Sequence, residues 1–130
     1  LIAKIEDKEG FDNILEIDKV TDVLWFCRGD FANNTAVLDL YKYEKQILDK
    51  ISVYTSPLYV AGECFMGIIH EGLPSRAEIA HAGYLFSCGV NGLVLTDEIT
   101  QSKMPVNVFL LADKLKKKYR KYIPGQVLDE

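Results

Sequence analysis

Apolar and polar positions along the chain fall into two alternating kinds of segment. Four short apolar runs read as strands: Leu1 to Glu6, Asp22 to Arg28, Pro57 to Glu63, and Gly92 to Glu98. Each mixes Val, Ile, Leu or aromatic residues over strand-like length. Each also turns polar or glycine-rich at its carboxyl end, at Lys4 and Glu6, Arg28-Gly29-Asp30, Gly62-Glu63 and Thr96-Asp97-Glu98. Apolar entry and polar exit is the pattern of a parallel sheet that carries its site at the carboxyl ends.

Helical periodicity follows each run. Asp12 or Asn13 caps a short helix with Ile14, Ile17 and Val20 facing inward. A second helix sets Leu40, Tyr43, Ile47 and Ile51 at steps of three and four. A third opens at Pro74 with Ser75-Arg76-Ala77-Glu78, where serine and the glutamate three residues on form a capping box. Its Ala77, Ala80, Ala82 and Gly83 predict close packing, and Gly89 ends it. A fourth starts near Pro105, presents Val108, Leu111, Leu115, Tyr119 and Tyr122 on one face, and stops at Pro124-Gly125.

The order β-α-β-α-β-α-β-α predicts an α/β fold with parallel strands and right-handed crossovers. Two architectures fit it, a small open doubly wound sheet and half of an eight-stranded barrel. No glycine-rich phosphate fingerprint follows a strand, which weighs against a Rossmann or P-loop reading. Asn33-Asn34-Thr35 reads as a loop, and nothing in the chain reads as a linker.

Composition narrows the function classes. The 130 residues are 48% apolar and 26% charged, an ordinary globular balance that excludes disorder and low complexity. The formal charge of −4 speaks against nucleic acid and anionic membrane as partners. No apolar run approaches the ~20 residues that span a bilayer, and no signal segment opens the chain. Cys27, Cys64 and Cys88 form no C-x-x-C pair and read as buried thiols of a reducing compartment. Six basic residues between Lys114 and Lys121 read as a solvated helix face. Leu1 in place of methionine points to a processed piece or a segment of a longer protein.

The candidate chemistry sits at the strand ends. Lys4 and Glu6, two apart on a strand, point to one face. The ammonium can stabilise charge on a phosphoryl group or an enolate, and the acid can hold a divalent metal. Asp30 can serve as a second oxygen ligand for the same ion, in keeping with Mg²⁺, which needs only one or two protein carboxylates. Gly29 lets the backbone approach a ligand closely. The Arg28-Gly29-Asp30 tripeptide also matches the integrin adhesion motif, but it follows Leu24-Trp25-Phe26-Cys27, a buried strand, and is set aside. Trp25 is expected to fill the core, and His81, on the small-residue helix, to pack or hydrogen-bond. Glu98 either faces the site or makes a structural bond.

Taken in order, Leu1-Ile2-Ala3-Lys4-Ile5-Glu6, Glu9-Gly10, Arg28-Gly29-Asp30 and Pro74-Ser75-Arg76-Ala77-Glu78 resemble pyruvate kinase, with matching spacing from Leu1 to about Pro105. The resemblance implies a (β/α)₈ barrel of which residues 1–130 are the carboxyl-terminal half, the last four βα units of an incomplete domain. It implies Lys4 as the catalytic cation, Glu6 and Asp30 as ligands of Mg²⁺ or Mn²⁺, and Gly29 and Asp30 as the holders of the substrate carboxylate. The reaction would be phosphoryl transfer from phosphoenolpyruvate to ADP, giving pyruvate and ATP. Potassium ligands, nucleotide-binding residues and the lid would lie outside this chain. A cytoplasmic homo-oligomer is the implied setting, with the remainder of the barrel, or another chain or copy, closing the open edges.

Departures from the family pattern are part of the reading. Gly62 stands at the substrate-binding position where the family has threonine, and Cys64-Phe65-Met66-Gly67-Ile68 replaces methionine-leucine-glutamate-serine-methionine. His81 replaces an aspartate, and Phe31-Ala32 replaces leucine-glycine. The alternative is therefore a catalytically degenerate relative that binds a metabolite or partner. A metal-dependent lyase or aldolase is a third reading, which the Arg-Ala-Glu helix start opposes.

Overall fold

Each apolar run forms a strand shorter than its sequence pattern suggests, because the polar carboxyl end turns away to start a loop or helix. A computed structural model describes residues 1–120. The expected helix stop at Pro124-Gly125, with Lys121 and Tyr122, lies outside the described residues. Strand β1 is Ile2–Ile5, followed by helices α1 (Lys8–Asp12) and α2 (Ile14–Asp18). Strand β2 is Val23–Cys27, followed by α3 (Arg28–Asn34), a 3₁₀ turn (Val37–Asp39) and α4 (Leu40–Asp49). Strand β3 is Leu58–Ala61, followed by α5 (Gly67–Glu71) and α6 (Arg76–Ser87). Strand β4 is Gly92–Val94, followed by α7 (Asp97–Thr100) and α8 (Pro105–Tyr119).

All neighbouring strands are parallel and their order is β1-β2-β3-β4. The order never reverses, so the switch point that defines a doubly wound sheet is absent from these four strands. Lys4 pairs with Trp25, Trp25 with Tyr59 and Tyr59 with Gly92, which sets these residues on one face. Ile5, Leu24, Phe26, Leu58 and Val60 take the other face and are fully buried under the helices. Each such burial contributes roughly 1.5–3 kcal/mol. One core lies beneath α1 to α4, the other between β4 and α5 to α8, and Leu93 packs against both.

Several expectations are corrected here. Arg28-Gly29-Asp30 does not close β2; it forms the first turn of α3, and Asn33 and Asn34 belong to that helix instead of a loop. The cause is Phe31, fully buried at 5.3 Å from the Phe26 ring and 5.0 Å from Tyr43, whose packing overrides weak local propensity. Val20 does not face inward: α2 ends at Asp18 and Val20 is 73% exposed. Ile51 lies beyond the end of α4 but still packs on the core. Trp25 does not fill the core. It sits on the open face of the sheet with Ile2, Tyr59, Val94 and, from α8, Phe109. Tyr59 lies so flat across the sheet that a Cβ at Gly92 would meet its ring at 2.5 Å. The Ser75–Glu78 capping box forms as expected, and the Glu78 carboxylate also takes the Gly67 amide, tying α5 to α6. Among the described residues no helix is long and apolar enough to cross a membrane.

Candidate active site

The carboxyl ends of the strands open into one cleft of about 720 Å³. Lys4 rises into it from β1, Trp25 and Cys27 from β2, Gly29, Asp30 and Asn33 from α3, and Gly62 from the β3 exit; Thr96 and Glu98 close the far side. Four of the five residues singled out by sequence, Lys4, Gly29, Asp30 and Gly62, therefore line the same space. The fifth, Glu6, touches it through Lys4. The Lys4 ammonium contacts Glu6 Oε1, an atom sealed from solvent that has no hydrogen-bond partner among the described residues. Across the rest of the described residues no group of three or more His, Cys, Asp or Glu side chains encloses a point. Two carboxylates suit only a hard ion that completes its shell with substrate and water.

Charge is held where the chemistry needs it. The contact with Glu6, helped by Cys27 and Asp30 nearby, raises the Lys4 pKa, so the ammonium stays protonated. Burial pushes the Cys27 thiol up to about 11 even though Lys4 pulls it down, so this cysteine is no nucleophile at neutral pH. Hydrogen bonds from its own backbone amide and from Thr96 hold the Glu98 carboxyl below the usual range. Gly29 has open space where a Cβ would stand.

Gly62 is constrained in a different way. Its φ of +97° is a backbone state that side-chain-bearing residues rarely take, and a Cβ there would lie 3.3 Å from the Gly29 amide nitrogen. Glu63 and Phe65 also have positive φ, at 43° and 62°. The exit from β3 is thus a tight, left-handed turn. A guanidinium fastens it: Arg28 donates from Nε to the Ala61 carbonyl at 3.3 Å and from Nη2 to the Gly62 carbonyl and to Cys64 Sγ.

Sequence reasoning missed the group that holds Arg28. His81 Nδ1 lies 2.9 Å from Arg28 Nη1, and His81 Nε2 lies 2.7 Å from Glu44 Oε1. Glu44 is only 6% exposed. A signal was present in the chain: Glu44 stands between Leu40 and Ile47 on the apolar stripe of its helix, where a solvated charge has no place.

Three comparisons bear on what this cleft is. A family model described as the pyruvate kinase barrel domain matches residues 1–109. The pyruvate kinase of Thermotoga maritima is 28% identical over 121 residues, 93% of this chain and 26% of that protein. Pyruvate kinase 2 of Saccharomyces cerevisiae is 29% identical over 107 residues, 82% of this chain and 21% of that protein. A crystal structure of Cryptosporidium parvum pyruvate kinase superposes with a TM-score of 0.78 at 23% identity, covering 88% of this chain and 24% of that one. The chain spans about a quarter of the length of the curated relatives it matches.

Proposed function

Because the chain belongs to the pyruvate kinase barrel-domain family, we propose that it supplies the lysine and the metal carboxylates of a phosphotransferase acting between phosphoenolpyruvate and ADP. The same reading makes residues 1–130 the carboxyl-terminal half of a (β/α)₈ barrel. Sequential parallel strands, helices on one face only and an open opposite face support it. The rest of the barrel, in the same protein or another chain, would cover that face and bring the nucleotide and potassium sites. A cytoplasmic homo-oligomer remains the expected setting.

The observation that carries the proposal is the Lys4–Glu6 ion pair beside the cleft that Lys4, Gly29 and Asp30 line. Lys4 would stabilise the charge of the transferring phosphoryl group and of the enolate left behind. The amides of Gly29 and Asp30, in the first turn of α3, have no intrahelical acceptor and would hold the substrate carboxylate. Glu6 and Asp30 would hold Mg²⁺ or Mn²⁺, whose contribution when bound is to neutralise phosphoryl and enolate oxygens. Gly62 has no hydroxyl to relay a proton, so solvent in the open cleft would be the donor to the enolate.

Titration of phosphoenolpyruvate into the full-length protein that carries this chain, with and without Mg²⁺ or Mn²⁺, tests the reading. Binding is expected only with metal and is expected to vanish in Asp30→Ala. The rewritten β3 exit, with Gly62 at positive φ and its carbonyl taken by Arg28, favours a second reading: a relative that binds without turnover. Absence of phosphoenolpyruvate binding in a folded protein would select that reading and redirect the search to partners.

A further inference from the structure

His81 belongs to neither the cleft nor the core, yet both of its ring nitrogens are engaged by charged side chains. A guanidinium only donates, so Nδ1, at 2.9 Å from Arg28 Nη1, must be the unprotonated acceptor. Nε2 then carries the proton and donates it to Glu44 Oε1 at 2.7 Å. The ring stacks near Tyr84, centroids 6.4 Å apart, which fixes its plane. Arg28 in turn bridges the first turn of α3 and the Gly62 turn, the two segments that bring the Gly29 amide and the Gly62 backbone within contact.

We propose that His81 is a positioning residue for the strand-end site: its neutral, Nε2-protonated ring accepts from Arg28 Nη1 and steadies the guanidinium on the Gly62 turn, and protonation removes that support. A proton added at Nδ1 would point at the guanidinium, so contact with Arg28 cannot survive it. Every charged or titratable group around the ring enters the balance. Glu44 from α4, Glu78 on α6 and Glu63 from the β3 exit are the acidic groups facing it. Arg28 from α3 is the facing cation, Tyr84 is neutral, and Cys64 is neutral because burial pushes its thiol up. An imidazolium would stay with Glu44 and give up Arg28. The Gly29 amide would lose its fixed neighbour, and the site would loosen in acid.

The ligand half of this inference rests on the phosphoenolpyruvate reading above; the geometric half does not. The test uses the full-length protein and two variants. In His81→Asn the side-chain oxygen replaces Nδ1 as the acceptor for Arg28 and does not titrate. In His81→Gln the longer amide reaches Glu44 and leaves Arg28 without an acceptor. Relative to His81→Asn, wild-type affinity for phosphoenolpyruvate with Mg²⁺ is expected to fall about tenfold when acid protonates the ring. His81→Gln is expected to bind about tenfold more weakly than His81→Asn at neutral pH. Equal pH profiles for wild type and His81→Asn overturn the proposal. A second measurement covers variants that fail to fold: in ¹⁵N spectra of the wild type, the Gly29 and Gly62 amide signals should move together with the His81 ring nitrogens. If phosphoenolpyruvate binds at no pH while those amides follow the ring, the functional reading falls and the positioning inference stands. If the ring carries its proton on Nδ1 at neutral pH, or the amides ignore its titration, the inference falls whatever the ligand does.

Discussion

At the amino ends of the strands a buried carboxylate is closed in by hydrogen bonds; at the carboxyl end of β1 a partly exposed one is held by a single ion pair beside the cleft. Asp18, 5% exposed at the end of α2, accepts from the Thr55 amide at 2.8 Å, the Thr55 hydroxyl at 3.0 Å and the Ser56 amide at 2.9 Å. The Ser56 hydroxyl reaches back to the Thr21 carbonyl. Both carboxylate oxygens and both amides entering β3 are thereby satisfied. At the other end of the same sheet Glu6, with its side chain 34% exposed, has only the Lys4 ammonium as its partner. The two carboxylates differ in what surrounds them, not in type. The first completes a local structure, and the second is left with one ion pair at the edge of the cleft. That asymmetry is what a sheet with its working end at the strand carboxyl termini should show.

The comparison breaks first, if it is wrong, at Asp18. Replacing it with alanine strips two buried amides of their acceptor, which should cost about 3 kcal/mol by urea unfolding. A loss under about 1 kcal/mol would mean that water replaces the carboxylate, and the amino end would be no more closed than the other. Acid provides a second reading. Burial pushes the Asp18 carboxyl up, but the amides and hydroxyls of Thr55 and Ser56 outweigh it, and the net shift is downward from 3.8. A lowered folded value gives stability that is present above the ordinary carboxyl pKa and lost as the pH falls through the folded one. Asp18→Asn should therefore flatten the dependence of stability on pH below about 3.8.

Gly62→Thr sharpens the comparison from the other end. It restores the hydroxyl of the family pattern but forces a β-branched residue to φ +97° with its Cβ 3.3 Å from the Gly29 nitrogen. The expected cost is about 2 kcal/mol, with loss and not gain of phosphoenolpyruvate affinity, because the turn and Arg28 must move. Unchanged stability together with tighter binding would show that the left-handed turn is not imposed by its surroundings.

What the sequence reveals divides along similar lines. Strand runs, their parallel order and the Ser75–Glu78 capping box depend on neighbours within a few positions, and they are legible. That Lys4 and Asp30 lie at one end of the sheet is legible too, because each follows or closes an apolar run, although Asp30 comes from the first turn of α3 and not from the strand. Trp25 is misread because Val23–Cys27 is apolar throughout, so periodicity cannot say which face the helices cover. Asn33 and Asn34 are misread because Phe31 packing, a tertiary effect, decides the helix. The Arg28–His81–Glu44 chain joins residues 53 and 37 positions apart, and only Glu44 on an apolar stripe hints at it.

The smallest expected effect on stability separates the two ends most cleanly. Glu6→Gln keeps the shape of the side chain and removes the charge that Lys4 contacts. Lys4 is half exposed, and pairs of that kind contribute little to folding. The unfolding midpoint should move less than in either variant above, while metal-dependent binding of phosphoenolpyruvate is lost, because a neutral amide is a far poorer ligand for a hard cation. The opposite result, a large loss of stability with binding intact, would make the Lys4–Glu6 contact a structural bond like that of Asp18. The carboxylate at the carboxyl end would then be as structural as the one at the amino end, and the asymmetry on which the functional reading depends would be gone.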